Sequence, residues 1–166
     1  MGQLKASCRC STTQVYKYRS RISGPLLDRI DIHIEVPAAR YQELSSDLPA
    51  ESSAQIKERV DKARAIQRER FSAKGRSATI CGGKDEAIFH NARMSHKQVR
   101  KFCTLGKEEG ELLKMAMTEL NFSARAYDKI LKVSRTIADL AESEQIKIEH
   151  LSEAIQYRSL DRQLWI

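Results

Sequence analysis

No apolar run in this sequence approaches the roughly 20 residues that a helix needs to cross a bilayer, so no membrane-spanning helix is expected. The opening stretch MGQLKASCRC has neither an apolar segment nor the cleavage pattern of a secretory signal, which points to the cytoplasm. There are only four cysteines. In a reducing compartment they are expected as reduced thiols or metal ligands, not disulfides. The four histidines, His33, His90, His96 and His150, show no triad or metal spacing and read as structural or surface residues. A Gly-x-x-x-x-Gly-Lys-Ser/Thr phosphate loop is missing, as is an apolar run ending in paired acids that would hold Mg²⁺. Internal repeats and low-complexity tracts are also missing.

What is present is a soluble globular composition, 41% hydrophobic and 31% charged over 166 residues. That length suits one domain, or one small domain with a piece of another. The net charge of +7 is unevenly placed. Residues 52–76 hold eight basic and three acidic side chains, whereas residues 105–166 hold nine basic and eleven acidic ones. A basic segment of this kind suits a phosphate backbone, or is the solvated face of a helix. Its candidate nucleic-acid contacts are Lys57, Arg59, Lys62, Arg64, Arg68 and Arg70.

The periodicities predict a mostly helical chain. A short helix covers residues 14–20 and is interrupted at Gly24-Pro25. Ile30, Ile32, Ile34 and Val36 alternate with Asp31, His33 and Glu35, a strand signal over 31–36 that Pro37 ends. A single strand cannot satisfy its own backbone groups. It needs a partner from elsewhere in the protein, from a second copy, or from an unrecognised short strand. Residues 41–51 form a polar connector. Ser52 or Ser53 caps a helix running to about Phe71, with Ile56, Val60, Ala63, Ile66 and Phe71 at helical spacing. Residues 79–84 read as a flexible loop. Ser95 opens a short helix ending near Phe102. Residues 106–120 carry Leu112, Leu113, Met115, Ala116 and Leu120 as a buried stripe. Ser123 caps a helix to about Ala141, with Ala126, Ile130, Val133, Ile137 and Leu140 inward. The last helix opens at Ile148 or Glu149 and turns Leu151, Ala154 and Ile155 inward. Short connections imply a bundle.

Three local features carry chemistry. In Arg21-Ile-Ser-Gly-Pro-Leu-Leu-Asp-Arg-Ile-Asp31, Arg29 lies just before the expected strand. A guanidinium offers a rigid fork of donors to a phosphate and stays charged at any working pH. A structural Asp28/Arg29 ion pair is the other reading. In Ser123-Ala-Arg125, Ser123 is a good N-cap, which puts Arg125 in the first helical turn, where the helix dipole opposes a cation. A phosphate-facing role would explain it, and an ordinary exposed arginine is the alternative. Cys8-Arg-Cys10 has the spacing of half a tetrahedral zinc site, which needs about four ligands. Cys81 and Cys103 fit no ligand spacing with that pair.

Taken together, these stretches resemble the C-terminal region of ComM/YifB-type Mg-chelatase-like AAA+ ATPases. The resemblance extends through Asn91-Ala-Arg-Met94, Gln98-Val-Arg-Lys-Phe-Cys103, Leu112-Leu-Lys-Met-Ala-Met117 and the stretch from His150 to Arg162, and so covers nearly the whole chain from about Cys8 onward. It implies the following. Residues 1–50 are the end of the AAA+ core, including its last strand, and residues 51–166 are the helical lid. Arg29 matches the arginine finger that enters a neighbouring subunit's ATP site. Arg125 matches the sensor-2 arginine that reaches nucleotide bound by its own subunit. Cys8 and Cys10 match the remaining half of a zinc knuckle whose upstream Cys pair is absent. The expected cofactors are ATP and Mg in the complete protein, with Zn a further candidate. The expected partners are the upstream core, neighbouring subunits of a homo-oligomeric ring, and DNA, since the family is associated with branch migration during transformation. No membrane partner is expected. The region alone is expected to be non-catalytic. A nucleic-acid-binding module, or a chelatase-type subunit driving Mg²⁺ insertion into a porphyrin, remain the alternatives.

Overall fold

Serines followed three residues later by glutamine start three of the helices, each by the same reciprocal bonding that satisfies two backbone groups at a helix start. Ser11 and Gln14 open α1 (Thr12–Arg19). Ser52 and Gln55 open the long helix α3 (Ser53–Ser72), with Gln55 N donating to Ser52 Oγ at 3.3 Å and Ser52 N to Gln55 Oε1 at 2.9 Å. Ser95 and Gln98 open α4 (His96–Phe102). The remaining helices of this computed structural model are α2 (Gly24–Leu27), α5 (Lys107–Glu119), α6 (Ala124–Leu140) and α7 (Ile148–Gln156), with a 3₁₀ turn at Asn91–Arg93. The structure describes residues 10–21, 24–34, 36, 51–72 and 90–158. The chain divides into two units, Met1–Ala50 with Tyr157–Ile166, and Glu51–Gln156.

In the larger unit α6 is the central element. It packs against α7, α3, α4 and the 3₁₀ turn, and α7 also packs on α5. The core is Met94, Val99, Cys103, Leu113, Ile130, Leu131, Ala138, Ile146, Leu151 and Ala154. Phe71 at the end of α3 meets Phe102 at the end of α4 edge-to-face, ring centroids 5.6 Å apart. Glu108 and Glu109 in the first turn of α5 complement its dipole. That helix ends at Asn121 in the left-handed region, φ 48°, with Phe122 N donating to Met117 O at 3.2 Å. α6 ends in the same six-residue closure at Glu142, φ 53°, with Ser143 N donating to Ala138 O at 2.8 Å. Here a glutamate stands where glycine is usual.

Two expectations about inward faces change. Met115 is 60% exposed, not part of the buried stripe of α5, where Leu113 and Ala116 alone are buried. In α6 the buried face holds Ala126, Ile130, Leu131, Ser134, Arg135, Ala138 and Asp139. Val133, Ile137 and Leu140 flank it at half burial. The displacement follows from the polar residues: Ser134, Arg135 and Asp139 lie inside because each finds hydrogen-bond partners there.

In the smaller unit, α2 leads through a turn, Arg29 N to Leu26 O and Ile30 N to Leu27 O both at 3.0 Å, into residues 31–34. Among the described residues there is no β-strand, so the strand expected over 31–36 is corrected to an irregular segment; residue 35 lies outside the described set. A ladder needs a second backbone alongside, and among the described residues the segment makes a single long-range backbone bond, His33 N to Tyr157 O at 2.8 Å. Ile32, Ile34 and Val36 are exposed, and His33 is the buried residue. The expected loop at 79–84 lies outside the described residues. No helix among the described residues is long and apolar enough to cross a membrane.

Candidate functional site

Arg125 occupies the position expected of it. Ser123 Oγ accepts from Ala126 N at 3.2 Å, which fixes the start of α6, and Arg125 follows in its first turn. Its side chain is exposed and makes no hydrogen bond or ion pair among the described residues. The exposed amides of a helix start and an unsatisfied guanidinium therefore lie together, a combination that favours an anion.

Arg29 is exposed in the turn after α2. Its neighbours on both sides are held by one side chain that sequence reasoning missed, Arg158. The Arg158 guanidinium, 1% exposed, donates to Ile30 O at 2.7 Å and lies 3.8 Å from Asp28 Oδ1. Arg29 and Arg125 belong to different units.

The basic helix separates into two sets. Lys57 pairs with Asp61, Arg59 is bidentate on Glu51 at 2.8 and 3.1 Å, and Lys62 lies 3.5 Å from both Glu58 and Glu142. These exposed pairs stabilise the solvated helix slightly. Arg64 and Arg68 are exposed and pair with no acid among the described residues. Arg70 departs from the expected phosphate-facing set. It turns inward, 13% exposed, and both its terminal nitrogens donate to the carboxylate of Asp139.

Asp139 is completely buried and is the hub of a polar network. Besides Arg70 it accepts from Asn91 Nδ2 at 2.7 Å and from Arg135 Nε at 3.0 Å. Arg70 also donates to Asn91 Oδ1 at 2.9 Å, Asn91 Nδ2 to Thr136 Oγ1 at 3.1 Å, and Gln67 Oε1 accepts from Asn91 N at 3.2 Å. Arg135 reaches on to Glu144 O at 2.7 Å. Burial pushes the Arg135 guanidinium down from its ordinary value, opposed by the Asp139 charge. The network joins α3, the 3₁₀ turn and α6. Its chemistry is structural, because every named group is satisfied by another. The (i, i+4) spacing of Arg135 and Asp139 within an apolar helix was the visible signal for it.

Of the cysteines, Cys8 lies outside the described residues, Cys10 is exposed and Cys103 is buried. Burial pushes the Cys103 thiol up to about 11, which makes it a core residue and not a reactive one. Among the described residues no three His, Cys, Asp or Glu side chains gather closely enough to hold a metal ion.

The sequence pattern of the family described as magnesium chelatase, subunit ChlI C-terminal, matches residues 50–158. This chain belongs to the Mg-chelatase-like family, of the ComM/YifB type. The pattern described as magnesium chelatase, subunit ChlI, matches residues 1–44. The Competence protein ComM of Haemophilus influenzae is 41% identical over 94% of this chain and 28% of its own length. A YifB of Escherichia coli K12, described as uncharacterized, is 38% identical over the same shares. A Mycobacterium bovis relative, also uncharacterized, is 26% identical over 91% of the chain and 27% of its own. The chain thus spans little more than a quarter of the length of these Mg-chelatase-like relatives. Membership implies ATP and Mg for complete proteins of this family.

Proposed function

We propose that this chain is the nucleotide-sensing C-terminal region of a Mg-chelatase-like AAA+ ATPase that works as a ring-shaped DNA motor in the cytoplasm. The observation that carries the reading is Arg125: an exposed guanidinium with no anion paired to it among the described residues, in the first turn of a well-capped helix whose dipole disfavours it. A nucleotide phosphate supplies the missing counter-charge. The likeness to a competence protein supports a role with incoming DNA.

In this reading Arg125 binds nucleotide held by its own subunit, and Arg29 reaches the nucleotide of the neighbour. Bound ATP with Mg²⁺ supplies a phosphoryl group whose equatorial oxygens gather charge as it transfers. An arginine delivered there acts in the transition state and raises turnover, by about 10³–10⁵-fold where such fingers are known. Arg125 acts earlier, on affinity and on the disposition of the lid. The test is ATPase activity of a protein carrying this region behind a complete nucleotide-binding core, with Arg29→Ala and Arg125→Ala made separately. The reading expects each to lose most of its turnover, and unchanged turnover in both sinks it.

A second reading, compatible with the first, is nucleic-acid binding along α3. Arg64 and Arg68 favour it, because they lie one helical turn apart, exposed, and within ion-pair distance of no acid among the described residues, acting on Asp61 only through their charge. If they meet phosphates, Arg64→Ala and Arg68→Ala each reduce the slope of log K against log salt by about 1. An unchanged slope assigns α3 to packing or solvation instead.

A further inference from the structure

We infer that Arg158 is the positioning residue for Arg29. The inference rests on the finger reading of Arg29 given above. Arg158 is 1% exposed, the largest fully buried side chain in the described structure. A buried guanidinium carries a desolvation cost that an apolar side chain of similar volume avoids, so its place here calls for a geometric reason. Its fork takes the residues on either side of Arg29: the carbonyl of Ile30 at 2.7 Å through Nη1, and the carboxylate of Asp28 at 3.8 Å through Nη2. The residue before Arg158 adds a third tie, Tyr157 O accepting from His33 N at 2.8 Å. On the other side the turn bonds of Arg29 N to Leu26 O and Ile30 N to Leu27 O, both 3.0 Å, fix the backbone from α2. The peptide units around Arg29 are therefore held from two directions while its own side chain is exposed.

A finger needs this arrangement. Its guanidinium must be presented across a gap to a phosphoryl group, and a displacement of about 1 Å at such a site costs about a hundredfold in rate. Because irregular backbone supplies no ladder to fix residues 28–33, a side chain must do so. Lysine would not replace Arg158 fully, since one ammonium lacks the planar fork that spans an acid and a carbonyl.

The test uses a protein carrying this region behind a complete nucleotide-binding core, with ATP hydrolysis measured for Arg29→Ala, Arg158→Ala, Arg158→Lys and the two Arg158 variants combined with Arg29→Ala. Arg158→Ala is expected to lower kcat about a hundredfold with KM for ATP within about twofold, and Arg158→Lys to lose about tenfold. In the Arg29→Ala background neither is expected to lower kcat further, because the group being positioned is gone. Should Arg158→Ala fail to fold, Arg158→Lys carries the same comparison. The positioning role is overturned if Arg29→Ala lowers kcat while a folded Arg158 variant leaves it unchanged. It is equally overturned if the two losses multiply, or if the Arg158 loss lies in KM. Unchanged kcat in Arg29→Ala overturns the finger reading itself, whatever Arg158 does.

Discussion

Asp139 is the residue on which the larger unit depends most. Two guanidinium groups and one amide converge on its fully buried carboxylate. Removing that single negative charge leaves Arg70 and Arg135 close together with no counter-ion, so Asp139→Asn is expected to destabilise by about 3–5 kcal/mol, read as a large fall in thermal midpoint. Arg70→Ala is expected to act on the same quantity and to leave the salt dependence of any nucleic-acid binding alone. Cys103 gives a pH signature. Its folded value, about 11, lies above the unfolded 9.0, so the unfolded chain releases the proton first. Its contribution to stability is full below about pH 9 and is lost as pH rises toward about 11. Denaturant titrations of the parent and of Cys103→Ala across that window check it: the parent should fall more steeply. Parallel slopes would show the thiol to be indifferent.

At the scale of elements, α6 is defined by its two ends. Ser123 caps the first, and Ser123→Ala is expected to cost about 1 kcal/mol. At the other end Glu142 adopts φ 53°, which a side chain with a Cβ disfavours. Glu142→Gly is expected to raise stability by about 0.5–1 kcal/mol, the exposed 3.5 Å pair with Lys62 offsetting little of this. A lower midpoint would show that pair to be worth more than the strain. Much of this architecture is legible in the sequence, because helix starts are local: Ser52 and Ser95 are each followed by the glutamine that completes the cap, and Ser123 caps through its own hydroxyl. The inward face of α6 was not legible in the same way. Hydrophobic spacing favours Val133, Ile137 and Leu140, whereas burial falls on Ser134 and Arg135, bonded within ten residues of themselves, and on Asp139, whose partners Arg70 and Asn91 are distant in sequence. Arg70 misleads for the same reason. It sits in a basic run, and only Asp139, 69 positions away, turns it inward. The strand over 31–36 fails differently: its alternation is genuine, but a strand is a property of two backbones.

At the scale of the whole molecule, the proposed function assigns two arginines to two different nucleotide sites, Arg29 from the smaller unit and Arg125 from the larger. The Leu-Asp-Arg29 and Ser-Ala-Arg125 stretches single out these two arginines as candidates, whereas Arg158 was not legible, because the Ile30 carbonyl it binds lies 128 positions back in the chain. The most direct measurement mixes two defective proteins, each carrying this region behind a complete core, one with Arg29→Ala and the other with Arg125→Ala. A subunit lacking the finger keeps a working sensor, and next to a subunit with an intact finger its site is complete. The mixture is expected to hydrolyse ATP clearly faster than the average of the two proteins assayed alone, with the largest gain near equal proportions. A mixture that never exceeds that average would contradict the two-site assignment, because both arginines would then serve a single site within one subunit.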